Sequence, residues 1–244
     1  KKYALWLKHA RRLTKFDFIA PLSVDLPQLK DSEETVAKFL HEIRRDRIKS
    51  INITHKVSNT EKLENSLLAF QRYPSTLQSL NFDCRNYSDE WELSKQSVLS
   101  LSHMHDLTSL ALAFRNQTDI LDPMISSLHN ISQLRHLKIE FLDTLNHSEQ
   151  IPFEKLFGAR NLNSLELKFD VWPQGLEYFL QQAEEFPLNK FCLDTTIADD
   201  DGNRQLQAIK RALSQLENLE VLKLKISKNS LGLQHKELIR DIME

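Results

Sequence analysis

Glycine is scarce in this chain, with only four residues in 244. They are Gly158, Gly175, Gly202 and Gly232. No two of them are close enough to form a dinucleotide fingerprint, a phosphate-binding P-loop or the tight turn that holds a catalytic serine. The glycine-dependent nucleotide and hydrolase motifs are therefore excluded. We expect no cofactor, and we expect the protein not to be an enzyme.

Cysteine is rarer still, with only Cys84 and Cys192 in the chain. Two cysteines are too few for a disulfide framework or a four-cysteine zinc site. Such usage favours a reducing compartment, so a cytoplasmic location is predicted. Five glycosylation-type triplets leave an extracellular location open as the alternative; they begin at Asn52, Asn86, Asn116, Asn130 and Asn146.

Long apolar runs and an excess of one charge are also missing. No segment approaches the ~18 apolar residues that a membrane helix requires, and the net charge is only −2. The sequence therefore predicts neither a membrane nor a nucleic-acid partner. The first residues, KKYALWLKHARR, lack an initiator Met and a secretory pattern, which indicates a fragment of a longer chain.

What the chain does contain is a spaced apolar pattern. The motif apolar-x-x-apolar-x-apolar starts eight times, at intervals of 35, 29, 30, 27, 28, 26 and 31 residues. Self-similarity of this kind is typical of repeat architectures. The eight segments are LTKFDFIA at 13–20, IKSINITH at 48–55, LQSLNFDC at 77–84, LTSLALAF at 107–114, LRHLKIEF at 134–141, LNSLELKF at 162–169, LNKFCLDT at 188–195 and LEVLKLKI at 219–226.

The alternation within each segment predicts a β-strand with one buried face. Positions one, four, six and eight are expected to point inward. Helical spacing between the segments predicts helices at 2–12, 31–45, after Thr60, at about 121–130 with Pro123 in the first turn, and at 230–243. Parallel strands covered on both faces would read as continuous apolar runs, so we expect helices on one face only.

These segments resemble the leucine-rich-repeat family, in its longer, ribonuclease-inhibitor-like class. The resemblance implies an α/β solenoid of about eight repeats over 1–244, as a single domain. It implies a full helix in each repeat, a parallel sheet on the concave face and helices on the convex face. The chain departs from the family where an Asn or Cys ladder normally follows the strand, as at Leu142 and Asp143.

Solenoids often bind partners on the concave face, so the outward strand positions are the candidate binding residues. Small residues at 111 and 113 would allow close approach of a partner, and charged residues further along would fix it. The candidates are Ser79, Asn81, Asp83, Ser109, Ala111, Ala113, His136, Lys138, Glu140, Glu166, Lys168, Asp194, Lys223 and Lys225.

The predicted function is a non-catalytic scaffold that binds another protein. Two alternatives stay open: the substrate-recognition region of a ubiquitin-ligase adaptor, or the regulatory region of a longer enzyme. Three weaker motifs favour ordinary structure. His103, His105 and Asp106 lack further zinc ligands and indicate a polar loop. The run ADDDGN at 198–203 indicates a turn and helix cap rather than a calcium loop. Cys192 faces outward but lacks identifiable catalytic partners.

Overall fold

The computed structural model describes residues 22–26, 48–54, 77–83, 100–115, 121–142, 151–197 and 202–227. These ranges contain eight strands in one sheet, and each strand pairs in parallel with the next one along the chain. The protein is therefore α/β with a parallel sheet. The strands are β1 (Leu22–Leu26), β2 (Ile48–Thr54), β3 (Ser79–Asp83), β4 (Ser109–Arg115), β5 (His136–Leu142), β6 (Ser164–Phe169), β7 (Lys190–Thr196) and β8 (Val221–Ser227).

The strand register follows the spacing of the apolar pattern for β2 to β8. Ser50 pairs with Ser79, and Ser79 with Ser109, as the intervals of 29 and 30 residues predict. The first strand was predicted wrongly. The strand that pairs with β2 is Leu22–Leu26, whereas the predicted segment 13–20 lies outside the described residues. The register shifts between Leu22 and Ser23, so β1 has one residue fewer than the motif between its first apolar residue and its serine, and the motif does not match it.

Helical segments lie in the described parts of the connections from β3 to β8. They are the α-helices α1 (Leu121–Leu128), α2 (Leu176–Gln181) and α3 (Gly202–Gln215), with 3₁₀ helices at Ser100–His103, Phe153–Gly158 and Ala183–Glu185. The helix predicted at about 121–130 is confirmed, with Pro123 in its first turn. A full helix in every connection was expected, but between β5 and β6 the described residues 151–163 form only a 3₁₀ helix. The predicted helices at 2–12, at 31–45, after Thr60 and at 230–243 lie outside the described residues.

A repeated hydrogen-bond pattern fixes where each strand starts. The Gln78 carbonyl accepts from the backbone N–H groups of Thr108 and Ser109, at 2.8 and 3.0 Å. The Thr108 carbonyl in turn accepts from Arg135 and His136, at 2.9 and 3.0 Å. The same double acceptor recurs at each later strand up to β8. Each start is thereby tied to the preceding one, which holds the register constant across the sheet.

The hydrophobic core lies on one side of the sheet. The residues at the fourth position of the apolar motif in β3 to β7 are no more than 1% exposed: Leu80, Leu110, Leu137, Leu165 and Phe191. Side chains from α1, α2 and α3 belong to the same core cluster, so the described helices pack against this one face. β8 is the exception, because Leu222 remains 37% exposed at the equivalent place. None of the described helices has the length and apolarity needed to span a membrane.

On the core side of the sheet, local contacts join the segments between the strands to each other and to β6. The ring of Phe153 lies 5.8 Å from those of Phe169 and Phe179, edge-on to the first. Gly175 precedes α2 with a φ of +91°, a conformation that favours glycine. A Cβ at this position would lie 2.4 Å from the Ile151 carbonyl oxygen. On the outside, Lys155 donates to Asp122 at 2.7 Å and links the 3₁₀ helix to α1.

Candidate functional site

The sheet face opposite the core carries three rows of side chains in register, which we call the open face. Each predicted candidate lies in one of these rows. Across β3 to β8 the first row is Ser79, Ser109, His136, Ser164, Lys190 and Val221; the second is Asn81, Ala111, Lys138, Glu166, Cys192 and Lys223; the third is Asp83, Ala113, Glu140, Lys168, Asp194 and Lys225. Because side chains alternate along a strand, the positions between the core leucines are brought together here.

Two candidates are more buried than expected. Ala113 is 7% exposed and Glu140 is 3% exposed, although both were predicted to face a partner. Ala113 stands in register between Asp83 and Glu140, at the ~4.8 Å strand spacing, so the longer neighbouring side chains leave its methyl little surface. Ala111 remains half-buried, which makes it the accessible small residue of the pair.

Ion pairs cross the strands in the half of the open face from β5 to β8. Lys168 Nζ on β6 lies 2.5 Å from Glu140 Oε1 on β5. Lys138 Nζ, on the same strand as Glu140, lies 3.7 Å from its Oε2. Lys225 Nζ lies 3.0 Å from Asp194 Oδ2. The third row alternates in sign from β5 to β8, so each of its charges lies next to an opposite charge on the neighbouring strand, at a spacing where the two attract.

Lys190 belongs to the same charged surface, although it was not among the candidates. Its ammonium group donates to the Glu166 carboxylate from the neighbouring strand. That hydrogen bond raises the pKa of Lys190 above its ordinary value. The sequence register places Lys190 diagonally across from Glu166, so the pairing of opposite charges in adjacent rows was the signal for it.

Cys192 lies at the centre of the charged half, in the second row between Glu166 and Lys223. It is half-buried and carries a free thiol. Burial, followed by the nearby Glu166 carboxylate, raises the pKa of this thiol. A raised pKa keeps the sulfur protonated at neutral pH, whereas a nucleophilic cysteine needs the thiolate.

A depression of about 700 Å³ lies over this part of the open face. It spans from β5 to β8, so its floor is the second and third rows together with the adjoining leucine positions. Its lining contains six of the predicted candidates, and these include both lysines of β8. The lining residues are Lys138, Glu166, Leu167, Lys168, Cys192, Leu193, Asp194, Leu222, Lys223, Leu224 and Lys225.

The weaker motifs do not assemble into a site in the described ranges. His103, His105 and Asp106 are exposed on the segment between β3 and β4. No group of three or more His, Cys, Asp or Glu residues suited to a metal occurs in the part of the chain that the structure describes. Cys84 and residues 198–201 lie outside that part, and α3 begins directly after them at Gly202.

Comparison with known proteins assigns neither a family nor a function to the chain. No protein-family model matches the chain, and no curated protein is significantly similar to it. The function must therefore be inferred from the open face and its charges.

Proposed function

We propose that this protein is a non-catalytic interaction module that binds another protein on the open face. The observation that carries the proposal is the one-sided burial of the sheet. The described helices pack against the core face, while the open face keeps a depression of about 700 Å³ lined by charged side chains. Eight strands at ~4.8 Å give this surface a length of about 34 Å, which suits one side of a standard protein interface.

The proposed architecture is a curved leucine-rich-repeat solenoid of about eight repeats. This architecture is supported by the regular sequence separation of 26–31 residues between paired positions from β2 to β8. Neighbouring helices need ~10 Å of separation and neighbouring strands only ~4.8 Å. Stacking the two layers therefore bends the array towards the sheet, which places the open face on the concave side.

The chemistry of the open face supports binding rather than catalysis. Its one described thiol, Cys192, has a raised pKa and is a poor nucleophile at neutral pH. The lysines and carboxylates of β5 to β8 mostly neutralise one another in pairs. The low cysteine content remains the basis for proposing a cytoplasmic location.

Site-directed photo-cross-linking tests the proposal. A photoreactive amino acid replaces Ala111 on the open face, and in a matched control it replaces Gln207, which is exposed on α3. In native lysate, position 111 should give discrete cross-linked products that position 207 does not. Ala111→Arg should abolish capture of the recovered partner and leave the unfolding temperature nearly unchanged.

Cross-links from position 207 without any from position 111 would move the binding surface to the helices. Retained capture by Ala111→Arg would also contradict the proposal. The identity of the partner then separates the remaining alternatives, since a ubiquitin-ligase core would favour the adaptor function.

A further inference from the structure

We propose that the open face between β5 and β8 binds an acidic segment of its partner protein, with Lys223 pairing a partner carboxylate. This inference rests on the proposed function and specifies the chemistry of the partner. It depends on the balance of charge in the depression, on the surroundings of Lys223, and on the absence of features that would suit a nucleic acid.

The charge balance of this half favours an acidic partner. Its three rows contain five lysines and only three carboxylates: Lys138, Lys168, Lys190, Lys223 and Lys225 against Glu140, Glu166 and Asp194. The surface thus has an excess of two positive charges, while the whole chain has a net charge of −2. A local field of opposite sign to the rest of the molecule steers acidic groups towards this surface.

Each of the three carboxylates already has a lysine partner. Glu140 holds Lys168 and lies near Lys138, Glu166 holds Lys190, and Asp194 holds Lys225. Among the described residues Lys223 has no carboxylate within 4.0 Å, and its side chain is exposed. Its ammonium group is therefore a cation that a partner can reach without breaking a pair between described residues.

The position beside Lys223 leaves room for the incoming group. Its neighbour in the row is Cys192, whose side chain is short and whose raised pKa leaves it uncharged at neutral pH. Cys192 therefore supplies no counter-charge to Lys223. Both residues line the depression, so a partner carboxylate seated over Cys192 would be within reach of the Lys223 ammonium group.

A protein segment suits this surface better than a nucleic acid does. A phosphate backbone carries charge continuously and would meet Glu166 and Asp194 in the same depression. None of the open-face residues of β5 to β8 is Phe, Tyr or Trp, so no platform for stacking bases is present in these strands. Side-chain carboxylates can be spaced to match single lysines and avoid the acidic positions.

Fluorescence anisotropy with a labelled oligoglutamate peptide tests the inference directly. At low salt the wild-type protein should bind this peptide and should not bind an oligolysine peptide of equal length. Lys223→Gln should weaken binding by about fivefold, the effect of losing one partly exposed ion pair, and Lys223→Glu should weaken it further. Arg211→Gln, which removes an equal charge from the exposed side of α3, should leave binding unchanged.

Two results would overturn the inference: equal binding by Lys223→Gln and wild type, or equally tight binding of single-stranded DNA. If either occurs while position 111 still gives specific cross-links, the open face remains the binding surface and only the acidic chemistry fails. Loss of the cross-links as well would remove the proposed function itself. Thermal unfolding of both Lys223 variants verifies that they are folded, since this exposed side chain contributes little to the core.

Discussion

Truncation of Leu165 to alanine should lower the free energy of unfolding by about 3 kcal/mol. Leu165 is 0% exposed and stands in register between Leu137 on β5 and Phe191 on β7. Both neighbours are themselves held in the core, so they cannot fully collapse into the space that the missing methyl groups leave. The cost therefore includes the lost transfer free energy and a residual cavity.

Leu222→Ala is the matched control, since it removes the same atoms at the equivalent position of β8. Leu222 keeps 37% of its surface exposed. Its truncation loses only part of the transfer free energy and leaves no enclosed cavity, so the expected cost is about 1 kcal/mol. Both variants make the same Leu→Ala change in a strand, so the difference of about 2 kcal/mol reports the difference in burial and strand environment between the two positions.

Urea unfolding monitored by tryptophan fluorescence and circular dichroism measures both variants. Trp172 is buried in the core, so its emission should report unfolding. Glu166→Ala, one residue further along β6 on the open face, should cost less than about 1 kcal/mol. Equal costs for Leu165→Ala and Leu222→Ala would refute the burial pattern. A cost for Glu166→Ala as large as that for Leu165→Ala would refute the assignment of an open face.

Three further outcomes concern single positions. Ala113→Arg should lower the unfolding temperature and Ala111→Arg should not, because only Ala113 is buried; equal melting temperatures in scanning fluorimetry would contradict this. Gly175→Ala should cost about 2 kcal/mol in urea unfolding, since a φ of +91° and a carbonyl oxygen 2.4 Å from the new Cβ both oppose it; a neutral effect would exclude that backbone conformation. The raised pKa of Lys190 makes the Glu166 ion pair fully stabilising below the ordinary value of 10.5 and ineffective once pH rises through the raised value. Wild type and Glu166→Gln should therefore converge in stability at strongly alkaline pH, and a constant difference from pH 8 to 12 would argue against the pair.

The sequence predicted the sheet well because strand register leaves a direct trace in apolar spacing. A shift of one residue would turn every core leucine towards the open face, so the pattern is strongly constrained. Seven of the eight strands were located on this basis. β1 was missed because its register shifts between Leu22 and Ser23, which breaks the spacing of the motif, and because segment 13–20 matches the motif.

The connections and the burial of polar residues were harder to predict. The Phe153–Gly158 segment is a 3₁₀ helix rather than the expected α-helix. Phe153 is fully buried against the rings of Phe169 and Phe179, and tertiary packing of this kind overrides local helix propensity. Alternation correctly placed Glu140 on the open face. It could not show that this side chain would be covered, because burial there depends on neighbouring strands and on the lengths of their side chains.

The candidate site was predicted as a surface but not as a set of contacts. Register alone aligns Lys138 with Glu166 and Cys192 with Lys223. It does not determine which lysine takes which carboxylate, since pairing can run along a row or diagonally between rows. Glu166 pairs with Lys190 rather than with a lysine of its own row, and that choice depends on side-chain conformations that the register does not specify.

Protection of Cys192 from alkylation most directly tests whether the partner occupies the open face. Iodoacetamide labelling is followed by peptide mass spectrometry, with and without the partner recovered by cross-linking from position 111. Because Cys192 lines the depression and is half-buried, a bound partner should slow its labelling at least about tenfold, by excluding the reagent. A cysteine introduced by Gln207→Cys, at an exposed position of α3, serves as the internal control and should keep its rate. An unchanged rate at Cys192 in the complex would show that the partner binds elsewhere.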